Sequence, residues 1–319
     1  MASALLSAAF GAGVRTRNAL YDKGTLRPRS LKGPVVSVGS LSVGGAGKTP
    51  FVILLGECLK KRGIAFDVLS RGYRRQTKGV ALVDPSGLPA QFGDEPLLMS
   101  RKLAVPVIVG EDRHLAGEFA ERQFGPRLHL LDDGFQHRQL ARDFDIVLVT
   151  PDDTSDRLLP AGRLREPLSA LRRADAVVLT SGATPDKFPI QNKTVWRVRR
   201  GIVMKDFPSR PVVFCGIARP AQFLAQLRVA GVDVVAEASF RDHHAYTEED
   251  VRDLLQLRSQ SQADGFITTE KDAVNLGGYF AALEPIRVVV VKMELADADR
   301  AIDHMLEVLD RRVKPRRDK

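Results

Sequence analysis

Short apolar segments alternate with longer amphipathic segments along the first part of the chain. The predicted strands lie at residues 35–38, 64–69, 105–109, 128–131, 146–149 and 176–179. This alternation of strand-length and helix-length segments is typical of a parallel sheet with helices on both faces. We therefore predict an α/β fold built on a doubly wound, mostly parallel sheet.

A second alternating set begins after residue 210 and indicates a second, smaller α/β domain. Its predicted strands lie at residues 212–215, 232–236, 266–268 and 288–291. The segment between the two sets is rich in proline, glycine and charged residues, which favours a connection between domains. The predicted organisation is a first domain at residues 1–185, a connection at 186–210, and a second α/β domain at 211–319 that ends in a basic tail.

A glycine-rich loop, Ser42-Val-Gly-Gly-Ala-Gly-Lys-Thr49, follows the first predicted strand and precedes a helix-like run. This order is the context of a phosphate-binding P-loop, because the glycines let consecutive backbone N–H groups face one anion. Lys48 would reach the β- and γ-phosphates, and the Thr49 hydroxyl would coordinate Mg²⁺. The predicted nucleotide-binding residues are Ser42, Val43, Gly44, Gly45, Ala46, Gly47, Lys48 and Thr49. Since Ser42 replaces the usual first glycine, an ordinary glycine-rich turn is the alternative.

Two carboxylates end a later strand. The run Leu128-His-Leu-Leu-Asp-Asp133 places Asp132 and Asp133 at the carboxyl end of a predicted strand. In P-loop proteins an aspartate at this place holds Mg²⁺ or its water ligands. An Asp-Gly sequence elsewhere often forms only a turn, but the position after a P-loop favours a metal-binding role.

The chain is basic overall. It has 319 residues and a formal net charge of +9, which favours nucleic acid, a phospholipid surface or a phosphorylated substrate as partner. Two cysteines are too few for a disulfide framework or a zinc site, and they favour a reducing compartment.

The N-terminal segment at residues 1–14 is apolar, and Arg15 and Arg17 follow it. The segment is too short to span a bilayer. A helix with one apolar face and adjacent arginines could lie in a membrane interface. It could equally pack on the protein's own core, and the residues leave both interpretations open.

Three classes of P-loop protein compete. A guanine-nucleotide switch needs an Asn/Thr-Lys-x-Asp motif, and in Thr269-Glu-Lys-Asp272 the lysine stands one position late. Dimerising ATPases of the partitioning kind carry an extra lysine where this chain has Val43. A small-molecule or lipid kinase needs a carboxylate near the acceptor hydroxyl and basic residues around the transferred phosphate, and both are available.

Several separated motifs together resemble the tetraacyldisaccharide 4'-kinases, which phosphorylate a lipid A precursor in Gram-negative bacteria. They are the loop at 39–50, Ser70-Arg-Gly-Tyr73, Gly93-Asp-Glu-Pro96, Asp132-Asp-Gly-Phe-Gln-His-Arg138, Pro160-Ala-Gly-Arg-Leu-Arg-Glu-Pro167, Asp242-His-His244 and Thr268-Thr-Glu-Lys-Asp-Ala273. The motifs cover essentially the whole chain. Ser40, Ala46 and Arg74 depart from the family pattern, which has Asn, Thr and Gly there, and Arg74 affects how a loop near the substrate bends.

The resemblance implies that the protein uses ATP and Mg²⁺ to phosphorylate the 4'-hydroxyl of tetraacyldisaccharide 1-phosphate, the lipid A disaccharide 1-phosphate precursor. It also implies a peripheral enzyme at the cytoplasmic face of the bacterial inner membrane, with residues 1–17 and the basic surface docked on anionic lipid. We further expect a monomer without a nucleic-acid partner. The alternative is a soluble P-loop kinase or ATPase acting on another anionic substrate, and a nucleotide switch is the third choice.

The resemblance also implies roles for single residues. Lys48, Asp94 and His243 would be catalytic, with Asp94 as the base and His243 orienting its carboxylate. The implied metal ligands are Thr49, Glu95, Asp132 and Asp133, and the implied substrate-binding residues are Arg71, His137, Arg138, Arg163 and Arg165. The segment 268–272 is expected to face the nucleotide or a hinge. Because Asp94 and His243 lie in different predicted domains, we expect hinge closure on ATP binding.

Overall fold

The computed structural model describes residues 2–203 and 206–317. Its strands are β1 (Val35–Ser40), β2 (Phe66–Ser70), β3 (Ala81–Leu82), β4 (Val107–Val109), β5 (Leu128–Asp132), β6 (Phe144–Val149), β7 (Ala176–Leu179), β8 (Thr194–Val203), β9 (Pro211–Cys215), β10 (Ala236–Ser239), β11 (Gly265–Thr269) and β12 (Ile286–Leu295). Its helices are α1 (Ala2–Asp22), α2 (Lys48–Lys61), α3 (Pro89–Phe92), α4 (Asp94–Leu103), α5 (Arg113–Phe124), α6 (Pro220–Val229), α7 (Glu248–Gln260), α8 (Glu270–Leu276) and α9 (Ala298–Arg317). The last residues of the predicted basic tail, 318 and 319, lie outside the described residues, as does residue 1.

The described strands form one sheet in the order β10-β9-β11-β12-β8-β7-β6-β1-β5-β2-β4-β3. Neighbouring strands run parallel except at the β8–β12 and β3–β4 pairs. The predicted α/β class and the mostly parallel sheet are therefore confirmed.

Strand β1 occupies the point where the strand order changes direction. All six of its residues are buried, and it pairs with β5 on one side and β6 on the other. The chain leaves β1 through α2 and enters β2, which lies beyond β5. Ligands of open α/β sheets bind at the carboxyl ends of the strands beside such a point, and both the glycine loop and Asp132 lie there.

Strand β8 was not predicted, because it lies inside the segment 186–210 that was interpreted as an inter-domain connection. It pairs in parallel with β7 and antiparallel with β12, so it joins the two halves of the sheet. Buried Trp196 and Val198 alternate with exposed Arg197 and Arg199. Because the arginines lower the apolar content of this segment, its composition did not indicate a strand. The division into two domains stays a prediction.

The strand predicted near residues 232–236 exists, but it lies four residues later in the chain. Strand β10 begins only at Ala236, and the preceding apolar residues form a loop after α6. Val232 and Val234 pack instead against a cluster that contains Phe223 and Leu227. Their hydrophobicity therefore reflects burial under α6 and not membership of the sheet.

Helix α1 packs on the first half of the protein through its carboxyl-terminal part. Val14 is buried, and the buried Asn18 donates a hydrogen bond of 2.6 Å to Glu166. Leu5 and Leu6, near the amino terminus of α1, are 76% and 59% exposed. One helix therefore both packs on the core and presents apolar side chains to solvent. Within the described residues, no helix combines the length and the hydrophobicity that a membrane crossing requires.

Candidate active site

The glycine loop has the backbone conformation that its glycines allow. Gly44, Gly45 and Gly47 have φ values of 65°, 73° and 81°, a region that residues with a Cβ atom rarely adopt. Helix α2 begins directly after the loop, and no side chain caps its first turn. The N–H groups of that turn are therefore available to an anionic ligand, which the helix dipole also favours.

Lys48 lies at the base of this loop. Its Nζ is 3.3 Å from the Ser40 Oγ and 3.5 Å from the Asp133 Oδ1. Arg165 binds the same Asp133 carboxylate with two hydrogen bonds of 2.7 Å each. Burial alone would raise the pKa of Asp133, but the charges of Lys48 and Arg165 hold that pKa well below its usual value.

The pKa of Asp132 shifts in the opposite direction to that of Asp133. It is buried at the end of β5 and accepts a hydrogen bond of 3.0 Å from the Ser70 hydroxyl. Burial, followed by the neighbouring Glu95 and Asp133 carboxylates, raises the pKa of Asp132 to about 7. The pKa values of these two adjacent aspartates therefore shift in opposite directions, because Lys48 and Arg165 both pair with Asp133, whereas burial and two carboxylates outweigh the charge of Lys48 at Asp132.

A second group of polar side chains joins the two halves of the protein. Asp94 begins α4 directly after Gly93, whose φ of 90° lets the chain turn there. The buried Asp94 carboxylate lies 2.8 and 2.9 Å from the Nδ1 atom of His243. It also accepts hydrogen bonds from the Glu95 N–H at 2.8 Å and the Asn275 side chain at 3.1 Å. Burial would raise the pKa of Asp94, but the His243 hydrogen bond and the charge of Lys271 lower it below its usual value.

Lys271 lies on the other side of the imidazole ring. Its Nζ is 3.0 Å from the His243 Nε2 and 2.8 Å from the Asp242 Oδ1. An ammonium group can only donate, so the ring accepts at Nε2 and carries its proton on Nδ1, facing Asp94. Lys271 thus lies against the Asp94–His243 pair, and Thr269 and Glu270 line the same cleft as the glycine loop. The nucleotide-facing or hinge role expected for 268–272 stays a prediction.

Asn275 was missed by sequence reasoning. It lies four residues after Lys271 on α8, and residues at this spacing share one face of a helix. That spacing was the available signal, but nothing in the sequence indicated that this face of α8 meets Asp94.

The loop that carries His243 is held by Arg74. The Arg74 guanidinium donates to the carbonyl oxygen of Asp242 and, at 3.2 Å, to that of His243. Arg74 and His243 have φ values of 61° and 60°, and non-glycine residues adopt such values at a cost. Arg74 therefore keeps the bend expected of the glycine that it replaces, and it adds a contact between the two halves.

The structure brings four of the five predicted substrate-binding residues to the cleft. Arg71, His137, Arg163 and Arg165 line it together with the glycine loop, Asp94, Glu95, the two aspartates and His243. Burial, followed by the charge of Arg113, lowers the pKa of His137 to about 4. Arg163 donates to the carbonyl oxygens of Val43 and Gly44, at 3.0 and 2.7 Å, so part of its role is to hold the loop.

Arg138 is not among the residues that line this cleft. It donates to the Asn18 carbonyl oxygen at 3.1 Å and to the Asp22 carboxylate at 2.8 Å, and its guanidinium lies over the Tyr21 ring. The structure therefore places Arg138 where it attaches α1 to the rest of the protein.

The cleft that these residues line has a volume of about 1010 Å³. It is lined by the glycine loop, two lysines, seven acidic side chains and six arginines. Phosphoryl transfer needs anion binding, a carboxylate near the acceptor and charge neutralisation, and all three occur within this one cleft.

Comparisons with known proteins give a consistent result. The family model described as tetraacyldisaccharide-1-P 4'-kinase (LpxK) matches residues 2–310. A tetraacyldisaccharide 4'-kinase from Koribacter versatilis is 52% identical to this chain, and the match covers 96% of this chain and 98% of the relative. A tetraacyldisaccharide 4'-kinase from Geobacter metallireducens is 39% identical, and the match covers 95% of this chain and 97% of the relative. A crystal structure of LpxK from Aquifex aeolicus in complex with ATP has a TM-score of 0.79 and 34% identity, and covers 95% of this chain and 97% of that one.

Proposed function

We propose that the cleft described above is the site of catalysis in this chain, which belongs to the tetraacyldisaccharide-1-P 4'-kinase family and is a tetraacyldisaccharide 4'-kinase. In this cleft the phosphoryl group would pass from ATP to the 4'-hydroxyl of the lipid A disaccharide 1-phosphate. One observation carries the proposal: Asp94, from the first half, and His243, from the second, meet at 2.8 Å in the same cleft as Lys48. A carboxylate oriented in this way beside an anion-binding loop is the arrangement that phosphoryl transfer to an alcohol needs.

The glycine loop acts as a P-loop in this proposal. Its left-handed glycines and the uncapped first turn of α2 present backbone N–H groups to the β- and γ-phosphates. Lys48 adds a positive charge, and it is oriented by Ser40 and Asp133. The Arg163 contacts with Val43 and Gly44 fix the shape of the loop before the nucleotide arrives.

Asp94 acts as the base. Its lowered pKa keeps it a carboxylate at neutral pH, so it can accept a hydrogen bond from the 4'-hydroxyl and position the oxygen toward the γ-phosphate. The proton moves to Asp94 as the new P–O bond forms, because the hydroxyl becomes acidic only then. His243 keeps the carboxylate in place through its Nδ1–H group.

The residues around Asp132 fit a Mg²⁺ ion. Thr49, Glu95, Asp132 and Asp133 all line the cleft, and oxygen ligands of this kind are those that Mg²⁺ prefers. Burial, followed by repulsion from the Glu95 and Asp133 carboxylates, raises the pKa of Asp132 to about 7, and a bound cation would offset both effects. Within residues 2–203 and 206–317 no group of three His, Cys, Asp or Glu side chains is arranged to hold a metal alone. In phosphoryl-transfer enzymes the nucleotide phosphates supply further oxygen ligands to Mg²⁺. The ion would neutralise charge on the transferred phosphate.

Helix α1 is the element that would dock on the cytoplasmic face of the inner membrane. Leu5 and Leu6 are exposed, and the exposed Arg15 follows on the same helix. Apolar side chains beside arginines favour an interface of anionic lipid. Such docking would bring the amphiphilic acceptor to a peripheral enzyme. The monomeric state stays a prediction.

The test is a transfer assay with radiolabelled ATP, Mg²⁺ and detergent-solubilised tetraacyldisaccharide 1-phosphate. We expect label in the lipid with the unmodified protein and a loss of orders of magnitude in the Lys48→Ala variant. Hydrolysis of ATP without labelled lipid would contradict the proposed acceptor while leaving the nucleotide site in place.

A further inference from the structure

Arg74 reaches from the first half of the protein to the loop that carries His243. It follows β2 in the chain, and its guanidinium donates to the carbonyl oxygen of Asp242 and, at 3.2 Å, to that of His243. The ring of the same histidine meets Asp94, which also belongs to the first half, at 2.8 Å. The first half therefore contacts both the backbone and the side chain of His243, and it does so through two different residues.

The backbone of His243 has a conformation that depends on its neighbours. Its φ of 60° is left-handed, and a non-glycine residue keeps such a value only where surrounding contacts fix it. Within the second half, the His243 N–H donates to the Gly216 carbonyl oxygen at 3.1 Å, and the Gly216 N–H donates to the buried Asp272 carboxylate at 2.7 Å. The His243 carbonyl oxygen accepts from Arg74 instead. The turn is therefore fixed from the second half at its N–H and from the first half at its carbonyl oxygen.

The Arg74 side chain is itself oriented by the residue that precedes it. Its guanidinium lies 5.8 Å from the centre of the Tyr73 ring, and a planar cation beside an aromatic face loses less freedom when it forms hydrogen bonds. The Tyr73 ring packs edge-on against the His243 imidazole, with centroids 5.1 Å apart. Tyr73 and Arg74 therefore contact the ring and the backbone of one histidine from one segment of the first half.

We propose that Arg74 is a positioning residue for phosphoryl transfer, which holds the His243 loop against the first half so that the imidazole meets Asp94. This role rests on the proposed function of Asp94 as the base. A displacement of about 1 Å in a catalytic group can lower a rate by roughly a hundredfold, so a contact that fixes the histidine backbone also affects turnover. The family pattern has glycine in place of Arg74, and glycine has no side chain that could make these contacts.

The Arg74→Asn variant tests this role. Asparagine tolerates a left-handed φ, so the segment can keep its shape while the guanidinium is lost. We expect turnover with both substrates saturating to fall by about three- to tenfold, the effect of one net hydrogen bond, with unchanged KM values for ATP and acceptor. In NMR spectra of protein with labelled histidine, the Nδ1 proton of His243 should exchange with water faster than in the unmodified protein. The signal is identified by its loss in His243→Gln.

Two further variants serve as controls. Arg74→Lys should recover part of the turnover and of the proton protection, because an ammonium group can donate to the same carbonyl oxygens. Lys78→Asn removes an exposed cation from the same segment and should match the unmodified protein in both measurements.

The outcomes separate positioning from other roles of Arg74. Normal turnover by Arg74→Asn would overturn the proposal. A loss of turnover with a normally protected His243 proton would also overturn it, because a loss of active protein would then be the cause. A raised KM for the lipid acceptor with unchanged turnover would assign Arg74 to substrate binding instead. If Asp94→Asn transfers normally while Arg74→Asn loses turnover and exposes the histidine proton, the proposed base is wrong and the positioning of His243 by Arg74 stands.

Discussion

Lys271 Nζ lies 3.0 Å from the Nε2 atom of His243, on the side of the ring opposite Asp94. The lysine has only donors, so this contact assigns the ring proton to Nδ1 and directs it to the Asp94 carboxylate. His243 is therefore suited to hold Asp94 as an anion, and its Nε2 atom is not available to the acceptor. In the proposed mechanism, Asp94 therefore meets the hydroxyl, and His243 and Lys271 position Asp94.

Replacing Lys271 by methionine removes the charge and the tautomer constraint while keeping most of the side-chain volume. We expect turnover to fall roughly tenfold or more, with an unchanged KM for ATP, because both imidazole tautomers would then be populated. Nitrogen NMR of labelled His243 should show the proton shared between Nδ1 and Nε2. Lys292→Met, at an exposed lysine that pairs with Glu294, is the control and should leave turnover unchanged. A normal tautomer and a normal rate in Lys271→Met would contradict the assignment.

Replacing Asp94 by asparagine keeps the size of the side chain but removes its basicity. We expect turnover to fall by about 10²- to 10⁴-fold, the usual contribution of a positioned base, while ATP binding measured by calorimetry stays normal. The Asn275→Ala variant removes one hydrogen bond to the same carboxylate and should cause a smaller loss. Near-normal transfer by Asp94→Asn would exclude Asp94 as the base.

The Asp132 carboxyl predicts how stability depends on pH. Its pKa is raised to about 7 in the folded protein from an ordinary value of 3.8, so between these values the folded state binds more protons than the unfolded state. Stability without Mg²⁺ should therefore fall as pH rises from about 4 to 7 through the effect of this group. Asp132→Asn should reduce this slope and raise the Tm at pH 8 by roughly 2–4 °C, which corresponds to about 1 kcal/mol, while transfer activity falls.

Thermal unfolding of both proteins at pH 5 and pH 8, with and without Mg²⁺, measures this difference. Mg²⁺ should stabilise the unmodified protein more at pH 8, since the ion and the proton compete for one carboxylate. An identical pH dependence in the two proteins would show that Asp132 has no raised pKa.

The glycine loop and the two aspartates after β5 could be predicted because their chemistry is encoded locally. A strand, three glycines and Gly-Lys-Thr occur within 15 residues of sequence, and their local order determines where the loop lies. The alternation of apolar segments likewise predicted most strands of the sheet, because strands buried on both faces are apolar throughout.

The remaining features depend on contacts between distant parts of the chain. Strand β8 is half-exposed and rich in arginine, so only its pairing with β7 and β12 identifies it. Asn275 reaches Asp94 because α8 packs against α4. Arg138 stands in a motif beside the site, yet its side chain turns toward α1. Backbone position is encoded in the motif, whereas side-chain direction is decided by the neighbouring elements.

The contacts of Arg138 therefore predict that its replacement lowers the stability of the protein without lowering its affinity for substrate. Its hydrogen bonds join the loop after β5 to Asn18 and Asp22 at the end of α1. Arg138→Ala should reduce the free energy of unfolding by about 1–2 kcal/mol, and the KM values for ATP and acceptor in detergent should be unchanged. Urea unfolding and steady-state kinetics of this variant distinguish the two roles, because a rise in the acceptor KM would place Arg138 at the substrate.

The exposed leucines of α1 give the last prediction. Leu5 and Leu6 do not contribute to the core, so the double variant Leu5→Ser, Leu6→Ser should keep its Tm and its turnover in detergent. It should float less with anionic liposomes than the unmodified protein, because each buried leucine contributes about 2 kcal/mol to insertion. Leu115→Ser, at a similarly exposed leucine of α5, is the matched control and should float normally. Equal flotation of all three proteins would mean that α1 does not attach this kinase to the membrane, and the basic surface would then have to bind anionic lipid without it.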